Sequence, residues 1–397
     1  MVKREPSSHP NLSKLSKTIY TVSPELQSFI LNYGEKMDEI VNRRFSNDDE
    51  VPFPETVDIE LTAICNLRCK MCWWWGEEGI AKKMVNDKNS LIYNQLKTEQ
   101  VIGLIDEVAE HKSSMYFSGA EVFTRPDIME ILLYAEEKKI STALTTNGTL
   151  IKDDQVEKLS HMKNLRINFS IDGPREIHDS IRGSGNFDRT TLVIRKLLKQ
   201  RGSSRFPIVN TNTTFSPEIV GNIEELINYL VDLKVDNISF QHLWFTTQDR
   251  AELHEERLRN EFRIEDDGAY SHIIDTISMD YLKKLSIEVD KIQRNRYPVP
   301  VRVNPRLSKE NVILYYTDLD FSKRKKCPIP WSKVLIKANG DVMFCPDEWV
   351  TKYVLGNVRN STISALWNNN LAIKFRNSLR ERGLFPVCGR CCSINMN

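Results

Sequence analysis

Residues 57–72 read Val57-Asp58-Ile59-Glu60-Leu61-Thr62-Ala63-Ile64-Cys65-Asn66-Leu67-Arg68-Cys69-Lys70-Met71-Cys72. The first six residues read as a strand, so the three cysteines sit on the loop that leaves it. Their CX3CX2C spacing lets three thiolates wrap one small inorganic centre. A cubane iron–sulfur cluster has four iron corners and is normally held by four cysteines. Three ligands on one tight loop leave one iron open, and an open iron points to an enzyme rather than a structural site.

The strand at 57–62 is the first of a series. Further strand-like runs fall at 114–117, 141–145, 166–171, 208–214 and 237–241. Helix-like runs at 98–111, 127–138, 152–161, 188–200 and 222–233 lie between them. Six strands alternating with helices predict a parallel α/β sheet, open or closed into a barrel. In parallel barrels the functional loops leave the C-terminal ends of the strands, and the cysteine loop holds such a position. Before this series, residues 1–50 read as a polar arm and an amphipathic helix carrying Leu26, Phe29, Ile30, Tyr33, Met37, Ile40 and Val41. After it, residues 243–320 break the rhythm with a charged stretch and a helix near 270–293, and read as a bridge or insertion.

Composition narrows the function classes. The 397 residues are 40% hydrophobic, enough for a full core. Lys and Arg number 55 against 54 Asp and Glu, a balance that gives no pull towards nucleic acid or an anionic membrane. No apolar run is long enough to span a bilayer, and residues 1–17 lack a signal-peptide apolar core. These features assign the chain to the cytoplasm, where thiols stay reduced. Eight cysteines clustered at short spacings there favour metal or cluster ligation over disulfides.

Three segments together resemble the radical S-adenosylmethionine (SAM) enzymes. The first is the cysteine loop. The second is Ser118-Gly119-Ala120-Glu121, similar to the family's Gly-Gly-Glu motif, where backbone groups and Glu121 would hold the cofactor's amine. The third is Ser170-Ile171-Asp172-Gly173 with Arg182-Gly183, whose counterparts contact the ribose and the cofactor carboxylate. Thr146-Asn147-Gly148 is also typical. Met71 stands where an aromatic usually precedes the last cysteine, and Ala120 replaces the second glycine. Neither change removes a ligand. The run Trp73-Trp74-Trp75 is unusual and receives no role from the sequence.

The distal cysteines resemble the auxiliary-cluster domain of the twitch type. Seventeen residues separate Cys327 from Cys345, forty-two more precede Cys388, and Cys391 closes a CX2C pair. The longer SPASM form needs more cysteines than this chain has. The resemblance implies a partial (β/α)6 barrel at 55–245, an N-terminal helical arm at 1–54, a bridging segment at 246–320 and an auxiliary-cluster domain at 321–397. It implies SAM and an open-site [4Fe–4S] cluster on Cys65, Cys69 and Cys72. It also implies a second cluster on Cys327, Cys345, Cys388 and Cys391. Gly119, Ala120, Glu121, Ser170, Asp172 and Arg182 would place the cofactor, and a flavodoxin- or ferredoxin-like reductase would supply the electron.

Plainer readings stand beside these. Four cysteines are also a common zinc set, and Cys392 can replace Cys391. Glu121, Ser170 and Asp172 alone are ordinary strand-end residues, and Arg182 alone is a surface residue. His242, at the end of the sixth strand, is more often hydrogen-bonded structure than a catalyst. One thiol is left after two clusters, and no cysteine lies between Cys72 and Cys327. A barrel cysteine that returns a hydrogen atom is thereby disfavoured, and a fully ligated second cluster suits an oxidative outcome. The expected substrate is a small polar molecule such as a sugar or aminocyclitol. The alternatives are maturation of a ribosomal peptide and non-enzymatic metal binding.

Overall fold

The computed structural model describes residues 51–77, 79–265, 273–274, 276–322, 325–345, 353–391 and 394. The amphipathic helix expected within 1–50 lies outside these residues. Six parallel strands form as the periodicity predicts: β1 (Thr56–Thr62), β2 (Ser114–Gly119), β3 (Thr142–Thr146), β4 (Leu165–Ser170), β5 (Ile208–Thr214) and β6 (Asn237–Gln241). Helices α2 (Thr98–Glu110), α3 (Ile128–Glu137), α4 (Asp153–Ser160), α6 (Asn186–Arg201) and α7 (Ile223–Leu233) connect them, and the short α1 (Ala81–Met84) follows the cysteine loop. Parallel neighbours joined in strand order through helices follow the right-handed crossover rule, which sets the connecting helices on one side of the sheet.

The sheet is open and extends beyond these six strands at both edges. Its order is β10-β9-β8-β1-β2-β3-β4-β5-β6-β7. Strand β7 (Val301–Asn304) comes from the segment read as a bridge, which also holds α8 (Gln248–Phe262), α9 (Met279–Arg294) and α10 (Lys309–Thr317). At the other edge β8 (Lys333–Ile336) runs parallel to β1, then turns back through Gly340 (φ 90°) into β9 (Asp341–Met343). Asn339-Gly340-Asp341 makes the turn of this hairpin. Strand β10 (Gly356–Asn357), α11 (Ile363–Trp367) and α12 (Asn370–Arg382) complete the C-terminal part.

Alternation along each strand sorts the two faces. Ile59, Phe117, Leu144, Ile167, Val209 and Phe240 are buried in one continuous core with the helices. The other face is polar. Asn210 Nδ2 donates to Asn168 Oδ1 (3.1 Å), and Asn237 Nδ2 donates to Asn210 Oδ1 (2.8 Å). A chain of amides therefore crosses β4, β5 and β6 on the side away from the helices. That polar face and the C-terminal strand ends bound the site.

Candidate active site at the end of strand β1

The cysteine loop is held by contacts that involve no metal. Trp74 and Trp75 both donate their indole N–H to the Ala63 carbonyl, at 2.9 and 2.8 Å. The Arg68 guanidinium lies 4.1 Å from the centre of the Trp75 ring. Asn66 donates to Thr149 Oγ1 (2.9 Å) and accepts from Asn147 Nδ2 (3.0 Å), which fastens the loop to the turn after β3. Lys70 N–H donates to Ile181 O (3.0 Å), on α5 (Arg175–Arg182). A Cβ at Gly76 would stand 2.3 Å from Cys72 O, so only glycine lets the chain close behind the last cysteine.

The thiols sit in a polarised pocket. Leu67 N–H points at Cys65 Sγ (3.4 Å) and Trp75 N–H at Cys72 Sγ (3.3 Å). Burial raises the Cys65 thiol to about 12; the Leu67 N–H works against this, while Glu121, Cys69 and Cys72 push it further up. Burial also raises Cys69, against the pull of the Arg182 guanidinium, whose Nη1 lies 3.9 Å from its sulfur. The Cys65 and Cys69 thiols, raised by burial, become stable thiolates only against a cation. No three His, Cys, Asp or Glu side chains among the described residues converge on a site for one metal ion. A zinc site would need all its sulfurs about 2.3 Å from one ion. A cubane meets each thiolate at a different corner, and three thiols of one loop are the donor type it takes.

The strand ends supply the rim. Gly119 (φ 120°) closes β2, and a Cβ there would lie 2.3 Å from Thr62 O. Ala120 N–H donates to that same carbonyl (2.9 Å). Glu121, 1% exposed, uses Oε1 to accept from Phe123 N (3.1 Å) and Thr146 Oγ1 (2.7 Å), and Oε2 to accept from Asn147 N (2.6 Å). Burial raises its pKa against these donors. A carboxylate has about four acceptor positions, so about one remains for a ligand. Glu121 chiefly binds the turns after β2 and β3 together, a role that sequence reasoning did not assign.

Asp172 and Arg182 act as a pair. Asp172 Oδ1 accepts from Thr214 N (3.0 Å) and Oδ2 from Arg182 Nε (2.5 Å). Burial opposes the guanidinium charge, but Asp172, Cys69 and Cys72 outweigh it and hold Arg182 above its ordinary range. Asp172 thus pairs with Arg182, and Arg182 also approaches the Cys69 thiol. Ser170 ends β4 half-buried beside them. Behind Asp172, His178 Nδ1 accepts its N–H (3.2 Å), and burial and the Arg182 charge lower the histidine to about 4. His178 and Thr214 were not anticipated; the His178 Ile/Ile flank at 177 and 181 on α5 was the available signal.

The distal cysteines gather on one core. Cys388 lies in the 3-10 turn Pro386–Arg390, and Cys391 N–H donates to Cys388 O (3.0 Å). Cys327 and Cys391 are each 8% exposed, and Cys345 and Cys388 are half-buried. Phe344, beside Cys345, packs on Phe375 (5.3 Å), which packs on Phe385 (5.3 Å), three residues before Cys388. The buried Arg390 donates to Asp318 O (2.6 Å) and Phe321 O (3.0 Å), drawing the CX2C turn to the segment that leads to Cys327. Cys392 lies outside the described residues, so the choice between it and Cys391 is not drawn from geometry. His242, buried just after β6, bonds Tyr316 Oη through Nδ1 (3.1 Å) and packs on the Tyr316 ring.

An open parallel sheet with a thiol cradle at its first strand end defines a cluster-bearing α/β protein. The radical SAM superfamily model matches residues 59–230, and the SPASM iron–sulfur cluster-binding model matches residues 327–392. The chain belongs to the radical SAM superfamily and carries a C-terminal SPASM/twitch domain. Membership implies SAM, a [4Fe–4S] cluster and auxiliary iron–sulfur binding. It is 38% identical over 176 residues (44% of this chain, 45% of the relative) to an AdoMet-dependent heme synthase of Methanosarcina barkeri. It is 25% identical over 180 residues (44% and 40%) to the sporulation killing factor maturation protein SkfB of Bacillus subtilis. The chain thus spans less than half the length of these curated relatives. Among solved structures, Streptococcus suis SuiB bound to SAM superposes with a TM-score of 0.59 at 18% identity, covering 90% of this chain and 75% of that one. No helix among the described residues is long and apolar enough to cross a membrane.

Proposed function

We propose that this protein cleaves SAM reductively and uses the resulting radical to remove a hydrogen atom from a small polar substrate. Cys65, Cys69 and Cys72 would hold the first cluster, and Cys327, Cys345, Cys388 and Cys391 the auxiliary one. The observation that carries the reading is the three-thiol cradle with the Asp172–Arg182 pair against Cys69. When bound, the cluster and SAM supply a 5′-deoxyadenosyl radical able to attack an unactivated C–H bond. The chain's own part is to position and to exclude water. Gly119 and Ala120 bring bare backbone to the rim, Glu121 fixes the turn beneath it, and Ser170 offers a hydroxyl at the end of β4.

The thiol inventory supports a net oxidation, because no cysteine lies on strands after Cys72 to return a hydrogen atom. Peptide maturation is the second reading, favoured by the likeness to a peptide maturation protein. A reductase of the flavodoxin or ferredoxin kind is the proposed electron donor for either. The test is anaerobic reconstitution followed by reductant and SAM. Release of 5′-deoxyadenosine is expected, and changing Cys65, Cys69 and Cys72 to Ala should abolish it while the auxiliary cluster absorbance persists. Release undiminished in that variant would refute the assignment.

A further inference from the structure

We propose that the polar face of the sheet carries a carboxylate-binding subsite on strand β7, built on Arg302 with Arg166 nearby. The inference rests on the reading that this face bounds the substrate cavity. Val303 is buried and Val301 packs against the same core, so alternation turns Arg302 and Asn304 to the opposite, polar face. Register places Arg302 beside Ser239, Ser239 beside Asn212, and Asn212 beside Ser170. Arg302 therefore stands in one row with the rim residue Ser170, three strand spacings away, about 14 Å along the sheet.

The charge pattern across this face is uneven. On the β1 side each inward cation has an acid: Lys333 meets Asp58 at 2.5 Å and Lys337 meets Glu60 at 2.9 Å. On the β4 to β7 side the inward positions are Arg166, Asn168, Ser170, then Ile208 and a set of Asn, Ser, Thr and Gln residues, then Arg302 and Asn304, with no Asp or Glu. Among the described residues the Arg302 side chain has no ion pair and no hydrogen bond, although it is half-buried. Burial and then the Arg166 charge both lower the affinity of Arg302 for its proton, so the Arg302 guanidinium stands half-buried beside a second positive charge. An uncompensated buried charge is costly, and a bound anion relieves it. The planar fork of arginine matches a carboxylate through two parallel hydrogen bonds. The neighbouring amides, themselves neutral, suit the uncharged polar remainder of the same molecule.

The probes are succinate, its uncharged analogue succinamide, and inorganic phosphate, titrated calorimetrically into reconstituted protein with SAM present. Saturable succinate binding is expected, at least tenfold tighter than succinamide. Arg302→Gln should weaken succinate at least tenfold, and Arg302→Lys should fall between, with thermal midpoint and cluster absorbance confirming that both variants fold. No saturable succinate binding, equal binding of succinamide, preference for phosphate, or less than a twofold change in Arg302→Gln would each overturn the subsite. Absence of 5′-deoxyadenosine release from the wild-type protein would instead sink the radical reading and leave the binding result standing.

Discussion

At the scale of single residues, Asp172 connects most of the site. It is 1% exposed and bonds Thr214 N and Arg182, while His178 receives its N–H. Changing Asp172 to Asn keeps the shape and leaves the guanidinium without its counter-charge. Removing one partner of a buried pair costs about 3 kcal/mol. We expect that loss in a denaturant titration, and a SAM-cleavage rate reduced at least tenfold because Arg182 no longer holds its place at Cys69. An unchanged denaturation midpoint would remove the pair from the account. The residues of this site were legible as types at strand ends, but their partners were not. That Asp172 faces Arg182, and Glu121 the Thr146-Asn147 turn, depends on contacts across 10 and 25 or 26 residues of chain. No local spacing rule encodes such pairings.

Among elements, the loop after β1 is informative. Its three tryptophans had no role in the sequence, because a run of three apolar rings fits neither strand nor helix periodicity. The structure shows two indoles sharing one acceptor, Ala63 O. A carbonyl oxygen has two lone pairs, so the arrangement saturates it. Trp75→Phe should therefore lower stability by about 1 kcal/mol or less, since Trp74 still serves the carbonyl. Trp74→Phe with Trp75→Phe should lose more than the sum of the single changes, because Ala63 O is then left unsatisfied. Thermal unfolding of the two single variants and the double variant measures this, and strict additivity would contradict it. The six central strands were legible because each couples β-propensity with burial. Helix α5 was not, having only Ile177 and Ile181 as an apolar stripe, and β7 was not, being four residues among charges and prolines.

For the whole molecule, the C-terminal part is continuous with the sheet. Strand β8 covers the edge of β1, and Lys333 and Lys337 neutralise Asp58 and Glu60 beneath the cysteine loop. Truncation after residue 326 would bare that edge and leave both acids without their lysines. We expect the truncated chain to lose cooperative thermal unfolding and to bind the first cluster poorly, as read by calorimetry and iron content. A sharp transition with full iron in the truncated chain would show the two parts to be independent. The sequence separated these parts by their cysteine groups, and it offered no sign that a four-residue strand after Cys327 returns to pair with the first. This pairing has a consequence for synthesis. Lys337 and Glu60 are 277 residues apart in the chain. At ordinary translation speeds of about 5–20 residues per second, β1 emerges about 15–55 s before its lysine partner. During that interval the nascent chain holds the cysteine loop beside a bare strand edge, a window in which chaperone cover matters most.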